Sequence, residues 1–314
     1  MGTLFAFFLE DLRRRDKTID SKLGPITLYG HWKEQITRLR RNGLELTRLD
    51  GSTSTIPLNV TNRLATVPPA DIVLVMVKSH QTERAAKDIR KILKEDGIVV
   101  SLQNGLGNLE MLSAELGSDR CFAGSTAHGA TVLGPARTRH AGIGKTVIAG
   151  AGSHKLILLL ELLNRAGLEV QASENAQSLI WGKLVVNAAI NPVTAIFGIQ
   201  NGELLIKETS HVLAISAAKE AAEVAGALDV KLPFADPSER VDEVCRLTAK
   251  NSSSMLQDIQ RGAMTEVDAI NGAVIRYGRE TGIPTPVNEL LLSAVLEKQA
   301  GNQIDMQGLH VVAA

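Results

Sequence analysis

The run Asp71-Ile-Val-Leu-Val-Met-Val77 constrains the fold of this chain more than any other stretch. An unbroken apolar run of strand length, closed by Lys78-Ser-His-Gln81, suits a β-strand covered on both faces. Such strands belong to sheets sandwiched between helices. The flanking sequence keeps that rhythm. Thr82 to Lys94 reads as a helix, and Gly97-Ile-Val-Val-Ser-Leu102 as the next strand. Further strands are expected at Pro25–Tyr29, Cys121–Gly124, Lys145–Ala149 and Leu168–Val170, with a helix from about His154 to Ala166 before the last. Residues 44 to 67 read as a small β insertion. The alternation predicts a doubly wound, mostly parallel sheet.

From about residue 175 the strand signal stops. Ile270, Ala273, Val274 and Tyr277 recur at helical spacing and are closed by Gly282 and Pro284. The expected fold class is therefore α/β plus all-α: a Rossmann-like sheet domain over 1–173 and a helical domain over 174–314.

Charge and composition exclude several functions. Lys plus Arg and Asp plus Glu both number 34, so no basic excess points to nucleic acid. Aromatic residues are only 3%, too few for base-stacking platforms. Cys121 and Cys245 stand alone, and the seven His are scattered. Neither a disulfide framework nor a metal centre is expected, and a reducing, cytoplasmic setting fits. No apolar run is expected to approach the roughly 18 residues of a membrane span.

Polar residues cluster where chemistry is expected. Lys183, Asn187 and Asn191 stand at i, i+4 and i+8 in the apolar stretch Trp181 to Pro192, so one helix face carries an ammonium and two carboxamides. Such a row grips a small oxygen-rich molecule, or it is the rim of a partly exposed helix. Ligands of open α/β sheets bind beyond the carboxyl ends of strands, where Lys78 and Asn104-Gly105 are expected. Lys78 either holds a phosphate or carboxylate or is a solvated strand end. Asn104-Gly105 either lets backbone approach a ligand or is an ordinary turn. Asn251 and Ser254 can cap a helix, and Glu266 can favour a helix start through the dipole. Gly150-Ala-Gly152-Ser-His-Lys155 lacks the third glycine of a dinucleotide loop and reads as a plain strand-to-helix connection.

Taken in order, Lys78, Gln103-Asn-Gly-Leu-Gly107, Trp181-x-Lys183-x-x-x-Asn187-x-x-x-Asn191-Pro192, Asn201-Gly-Glu-Leu204, Ser253 to Ile259 and Thr265-Glu266-x-Asp268-x-Ile-Asn271-Gly272 resemble the ketopantoate reductase (2-dehydropantoate 2-reductase) family. The resemblance runs from Gly2 to about Lys298. It implies NADPH-dependent reduction of the C2 ketone of 2-dehydropantoate, on the route to pantothenate and coenzyme A. By that resemblance Lys183 is the general acid and Glu266 a second catalytic residue. Asn104, Lys183, Asn187, Asn191, Asn201, Asn251 and Ser254 hold substrate. Gly2, Lys78, Asn104, Ala130 and Glu266 meet the cofactor. A homodimer through the helical domain is the implied assembly.

The pattern departs from the family at two places. Met1-Gly2-Thr-Leu-Phe resembles the last glycine of G-x-G-x-x-G and the helix after it, without the first strand or the first two glycines. That departure predicts unpaired neighbouring strands and a poorly covered apolar face at Leu4, Phe5 and Phe8. After the second strand the family has an Arg for the 2′-phosphate, where this chain has His31 and Lys33. The alternatives are thus a truncated, non-catalytic paralogue with weak cofactor binding, or a reductase of another branched 2-oxoacid.

Overall fold

The computed structural model describes residues 1–20, 23–150 and 153–303. Two compact units emerge. One comprises Met1–Val77, Gln81–Gln103 and Leu109–Ala176; the other comprises Lys78–His80, Asn104–Asn108 and the chain from Gln177 on.

In chain order the first unit contains α1 (Gly2–Arg15), α2 (Lys17–Asp20), β1 (Thr27–Tyr29), α3 (Lys33–Asn42), β2 (Leu44–Thr47), β3 (Thr53–Ile56), β4 (Asn59–Thr61), β5 (Ala70–Val75), α4 (Thr82–Arg90) and β6 (Leu93–Ser101). It continues with α5 (Asn108–Leu116), β7 (Cys121–Thr126), β8 (Gly129–Gly134), β9 (Arg137–Gly142), β10 (Thr146–Ala149), α6 (His154–Arg165) and β11 (Val170–Ser173). The apolar run at 71–77 is β5, and its neighbours form a five-stranded sheet in the order β11-β10-β7-β6-β5. β5, β6 and β7 run parallel; β10 is antiparallel to β7.

Several expectations need correction. The helix read as Thr82 to Lys94 ends at Arg90, and Leu93 already belongs to β6. Residues 44 to 67 are not a free-standing insertion: β2 pairs β9 and β9 pairs β8, giving a four-stranded sheet in the order β3-β2-β9-β8. In the glycine loop after β10, Ala151 and Gly152 lie outside the described residues.

As expected from the N-terminal pattern, β1 pairs β4 on one edge and β5 pairs β6 on one edge, with no other ladder partner among the described residues. The expected poor cover of the first helix is contradicted. Leu4 and Phe5 are fully buried, as is Phe7 beside them, whereas Phe8 is half-buried. The reason is that α1 packs into two cores at once. Leu4 and Phe7 join Ile36, Leu39, Leu44, Leu46 and Ile56, whereas Phe5, Leu9 and Leu12 join Val100, Leu102, Ile148 and the α6 leucines. Two buried histidines complete the cover. The His128 ring meets Phe5 edge-on at 6.2 Å, and His140 meets Phe8 at 5.5 Å. Burial pushes both imidazoles below their ordinary pKa, which suits rings packed on aromatics.

The second unit is helical: α7 (Ala176–Phe197), α8 (Glu208–Ala227), α9 (Pro237–Leu247), α10 (Ser254–Gln260), α11 (Val267–Thr281) and α12 (Pro286–Gln299). Here too an expectation fails. Gln177–Phe197 is 21 residues with mean hydropathy 1.4, long and apolar enough by composition to cross a membrane. Its apolar surface goes instead into packing, because Leu184, Val185, Ala188, Ala189 and Val193 form the centre of the helical core.

Phe5→Ala should destabilise the first unit by roughly 3–5 kcal/mol, the usual range for a fully buried Phe. The denaturant midpoint reads this directly. A loss below about 1 kcal/mol would mean that α1 does not bridge the two cores.

Candidate active site

The row of polar residues on α7 lies along a helix whose middle is mostly buried. Lys183 and Asn187 are half-buried, and Asn191 is buried, while Leu184, Val185, Ala188 and Ala189 between them are enclosed. An amine in such surroundings loses hydration that its charged form needs. Burial accordingly pushes the Lys183 pKa down to about 8, a shift that the nearby Glu266 carboxylate partly offsets. The helix is fixed against α11 by Asn271, whose Nδ2 donates to the Ala188 carbonyl at 3.0 Å and to Asn288 Oδ1 at 2.9 Å.

Glu266 stands at the N-cap of α11, yet its carboxylate does not cap the helix. It collects other donors. Oε1 accepts from the Ser79 backbone N–H at 3.2 Å and from Ser79 Oγ at 3.0 Å. Oε2 accepts from Lys78 Nζ at 3.3 Å and Asn104 Nδ2 at 3.2 Å. A buried carboxylate is tolerable with this many donors. Lys78 is therefore not a solvated strand end. Its ammonium also meets Asp258 Oδ2 at 2.6 Å.

The loop after β6 is shaped by glycine. Gly105 has φ +79°, and a Cβ there would lie 2.4 Å from the Ala269 carbonyl oxygen. Only glycine lets the loop pass so close to the first turn of α11. Leu106 N–H then donates to that carbonyl at 2.9 Å. This backbone contact delivers Asn104 to Glu266.

The remaining sequence-chosen residues divide into groups. Asn201 and Asn251 are neighbours, joined by the Asn201 N–H to the Asn251 carbonyl at 3.0 Å, and Asn201 Nδ2 donates to Thr248 Oγ1 at 2.9 Å. Ser254 and Asn251 do not cap α10. Ser253 does, accepting from Leu256 N–H at 3.1 Å, and it meets Thr194 Oγ1 on α7 at 2.7 Å. Ser254 is left exposed, with its hydroxyl not engaged in capping. Gly2 and Ala130 belong to the first unit. Gly2 opens α1, where a Cβ would meet only Leu28 Cδ1 at 3.8 Å and Met76 Cβ at 3.9 Å; Ala130 pairs with His140 in the β8–β9 ladder. Sequence reasoning gave no role to Ser79, nor to Asp258, which stood within the Ser253–Ile259 motif. The signal for Asp258 was an acid in a helix between Met255, Leu256 and Ile259.

The first unit holds a further basic group that sequence order concealed. His31 follows β1, and Arg84 Nη2 from α4 lies 3.4 Å from its Nδ1. Lys33 opens α3 nearby in sequence. Asp88 on α4 accepts from Tyr29 Oη at 2.9 Å.

Gly105→Ala should break the contact between the loop and α11. The expected outcome is a loss of stability of about 1–3 kcal/mol from the positive φ and the displaced carbonyl. An unchanged thermal midpoint would mean the loop does not need this approach.

Residues 1–153 match the family model described as ketopantoate reductase PanE/ApbA, and residues 175–299 match the model of its C-terminal domain. The chain is 35% identical over 273 residues to a 2-dehydropantoate 2-reductase of Halobacterium salinarum, covering 86% of this chain and 89% of that one. It is 37% identical over 235 residues to the Archaeoglobus fulgidus protein of the same name, covering 74% and 78%. Among solved structures, a PanE/ApbA family ketopantoate reductase from Ralstonia eutropha aligns with a TM-score of 0.84 at 27% identity, over 95% of this chain and 94% of that one. D-mandelate dehydrogenase, solved with NADH and anilino(oxo)acetate, aligns with a TM-score of 0.86 at 24% identity over 96% of each chain, a likeness of fold alone. This chain belongs to the ketopantoate reductase PanE/ApbA family.

Proposed function

We propose that this chain reduces 2-dehydropantoate (ketopantoate) to pantoate with NADPH, a step of pantothenate and coenzyme A biosynthesis. The observation that carries the reading is the desolvated amine of Lys183 beside the asparagine row of α7, within the field of Glu266. The reaction adds a hydride to C2 and a proton to its oxygen. The bound dinucleotide supplies the hydride. Lys183 supplies the rest. As an ammonium it donates a hydrogen bond to the ketone oxygen, stabilises the negative charge that grows there, and gives up its proton. A pKa near 8 makes that proton easier to release than from an ordinary lysine while leaving the amine mostly charged at neutral pH. Asn187 and Asn191 offer carboxamides to the substrate carboxylate and hydroxyl, and Asn201, Asn251 and Ser254 extend that set.

Residues of the chain also fit the cofactor. Gly2 opens α1 without a side chain, and no acidic residue stands in the first turn of that helix. Its leading N–H groups suit a phosphate. Lys78, Asn104, Ala130 and Glu266 are the further residues that would hold the dinucleotide. Lys33 and Arg84 supply positive charge after β1, and His31 offers a ring nitrogen beside Arg84, which supports NADPH over NADH. The Arg absent after the second strand is thereby replaced from α4. The two buried, unpaired cysteines suit a cytoplasmic setting.

Lys183→Ala should lower kcat by about 10²–10⁴-fold with cofactor affinity largely kept, the range for loss of a general acid. A near-normal rate would remove Lys183 from this role. Since the acid must be protonated, kcat/KM of the wild type should be level below pH 8 and fall above it. Arg84→Ala should raise KM for NADPH about five- to tenfold and leave KM for NADH unchanged, as expected for loss of one charge-assisted phosphate contact. Equal effects on both cofactors would refute the assignment of Arg84 to the 2′-phosphate.

A further inference from the structure

Asp258 stands outside the residues assigned above to substrate and cofactor, yet its side chain is only 2% exposed. Its two oxygens serve two cations. Oδ2 accepts from Lys78 Nζ at 2.6 Å, and Oδ1 accepts from Arg261 Nη2 at 2.8 Å. Lys78 is also held by Glu266, but at 3.3 Å. Two buried carboxylates thus compete for one ammonium, and Asp258 has the shorter contact. Arg261, about half exposed, balances the second oxygen of Asp258.

The competition matters because Glu266 faces two ways. It holds Lys78, Ser79 and Asn104, and its negative charge reaches Lys183. Whatever draws Lys78 toward Glu266 cancels part of that charge. Whatever draws Lys78 away restores it. We propose that Asp258 is a positioning residue, which keeps Lys78 at the shorter of its two contacts and so sets how much of the Glu266 charge is left to act on Lys183. The groups in this relay are Glu266 at the start of α11, Lys78 after β5, and Asp258 and Arg261 at α10. Asp268 and Arg276 lie on α11 but are exposed.

The signs follow from the charges. In Asp258→Asn, Lys78 keeps one carboxylate partner, Glu266, and a buried carboxylate retains its cation strongly. Lys78 therefore closes on Glu266, and the Lys183 ammonium loses support. In Arg261→Gln, Asp258 has only Lys78 to pair with and pulls it further from Glu266, so the ammonium gains support.

The inference rests on Lys183 being the acid of the proposed reaction only for its catalytic consequence. Its test needs no turnover. The full chain labelled with ¹³C at lysine Cε is titrated by NMR, with the Lys183 resonance assigned by its loss in Lys183→Met. The wild-type midpoint is near 8. Asp258→Asn should lower that midpoint by about half a unit or more, and Arg261→Gln should raise it. Asp258→Glu, which keeps the charge, should recover most of the shift. Asp268→Asn, at an exposed carboxylate, should leave the midpoint in place. An unchanged or raised midpoint in folded Asp258→Asn overturns the proposal, as does an equal shift in Asp268→Asn. Should Asp258→Asn not fold, Arg261→Gln decides alone: an unchanged or lowered midpoint overturns it. A chain whose midpoints move as stated but which reduces no 2-oxoacid would refute the proposed function and leave this relay standing.

Discussion

An amine deprived of water is the constraint around which the helical unit is arranged. Lys183 sits half-buried among the packed residues Leu184, Val185, Ala188 and Ala189, so its charge has lost part of its hydration. A desolvated ammonium needs a counter-charge within reach, and the carboxylate of Glu266 is that charge. The rest of the site follows from keeping the Glu266 side chain in place. Buried as it is, it needs donors, and these come from two short loops, Lys78–His80 and Asn104–Asn108, that group with the helical unit although they follow strands of the sheet.

That dependence explains residues whose chemistry is otherwise unremarkable. Gly105 makes no contact with a reacting group; it lets a loop pass the first turn of α11 closely enough for Asn104 to reach Glu266. Asn271 takes no part in proton transfer, but its bonds to Ala188 and Asn288 register α11 against α7. Ser253 joins the start of α10 to Thr194 on α7. Each holds a backbone element so that a charged side chain elsewhere meets its partner. Positional accuracy of this kind decides whether an oxyanion is stabilised or merely approached.

Much of this was legible in sequence, and the failures have physical causes. The run at 71–77 and the polar row at Lys183, Asn187 and Asn191 stand out by residue type, but the expected cover of that strand on both faces is only partial: β5 is an edge strand in which Val75 is buried and Ile72, Val73 and Leu74 are half-buried. β8 and β9 were missed because Arg137-Thr-Arg-His140 alternates polar with polar: Thr138 and His140 are buried, but neither is apolar. The partner of β9, β2, lies some 90 residues earlier, beyond any local signal. The cover over Phe5 and Phe8 was misjudged for the same reason, since it comes from α6, from His140 on β9 and from His128 just before β8. At α10 the choice of cap turned on one residue, Ser253 rather than Ser254, a distinction set by backbone angles rather than by residue type. Asp258 could be seen as an acid among apolar residues, but not that its partner is Lys78, 180 positions away.

The central claim is that the amine of Lys183 is an unusual lysine because of where α7 places it. Acylation of the intact chain across a range of pH, with each lysine quantified by mass spectrometry, tests this most directly. The account predicts that Lys183 reaches half its maximal reactivity near pH 8, well below the surface lysines, and that a 2-oxoacid substrate with the dinucleotide protects it. A Lys183 that titrates with the surface lysines near their ordinary value of about 10.4, and is not protected by those ligands, would contradict it.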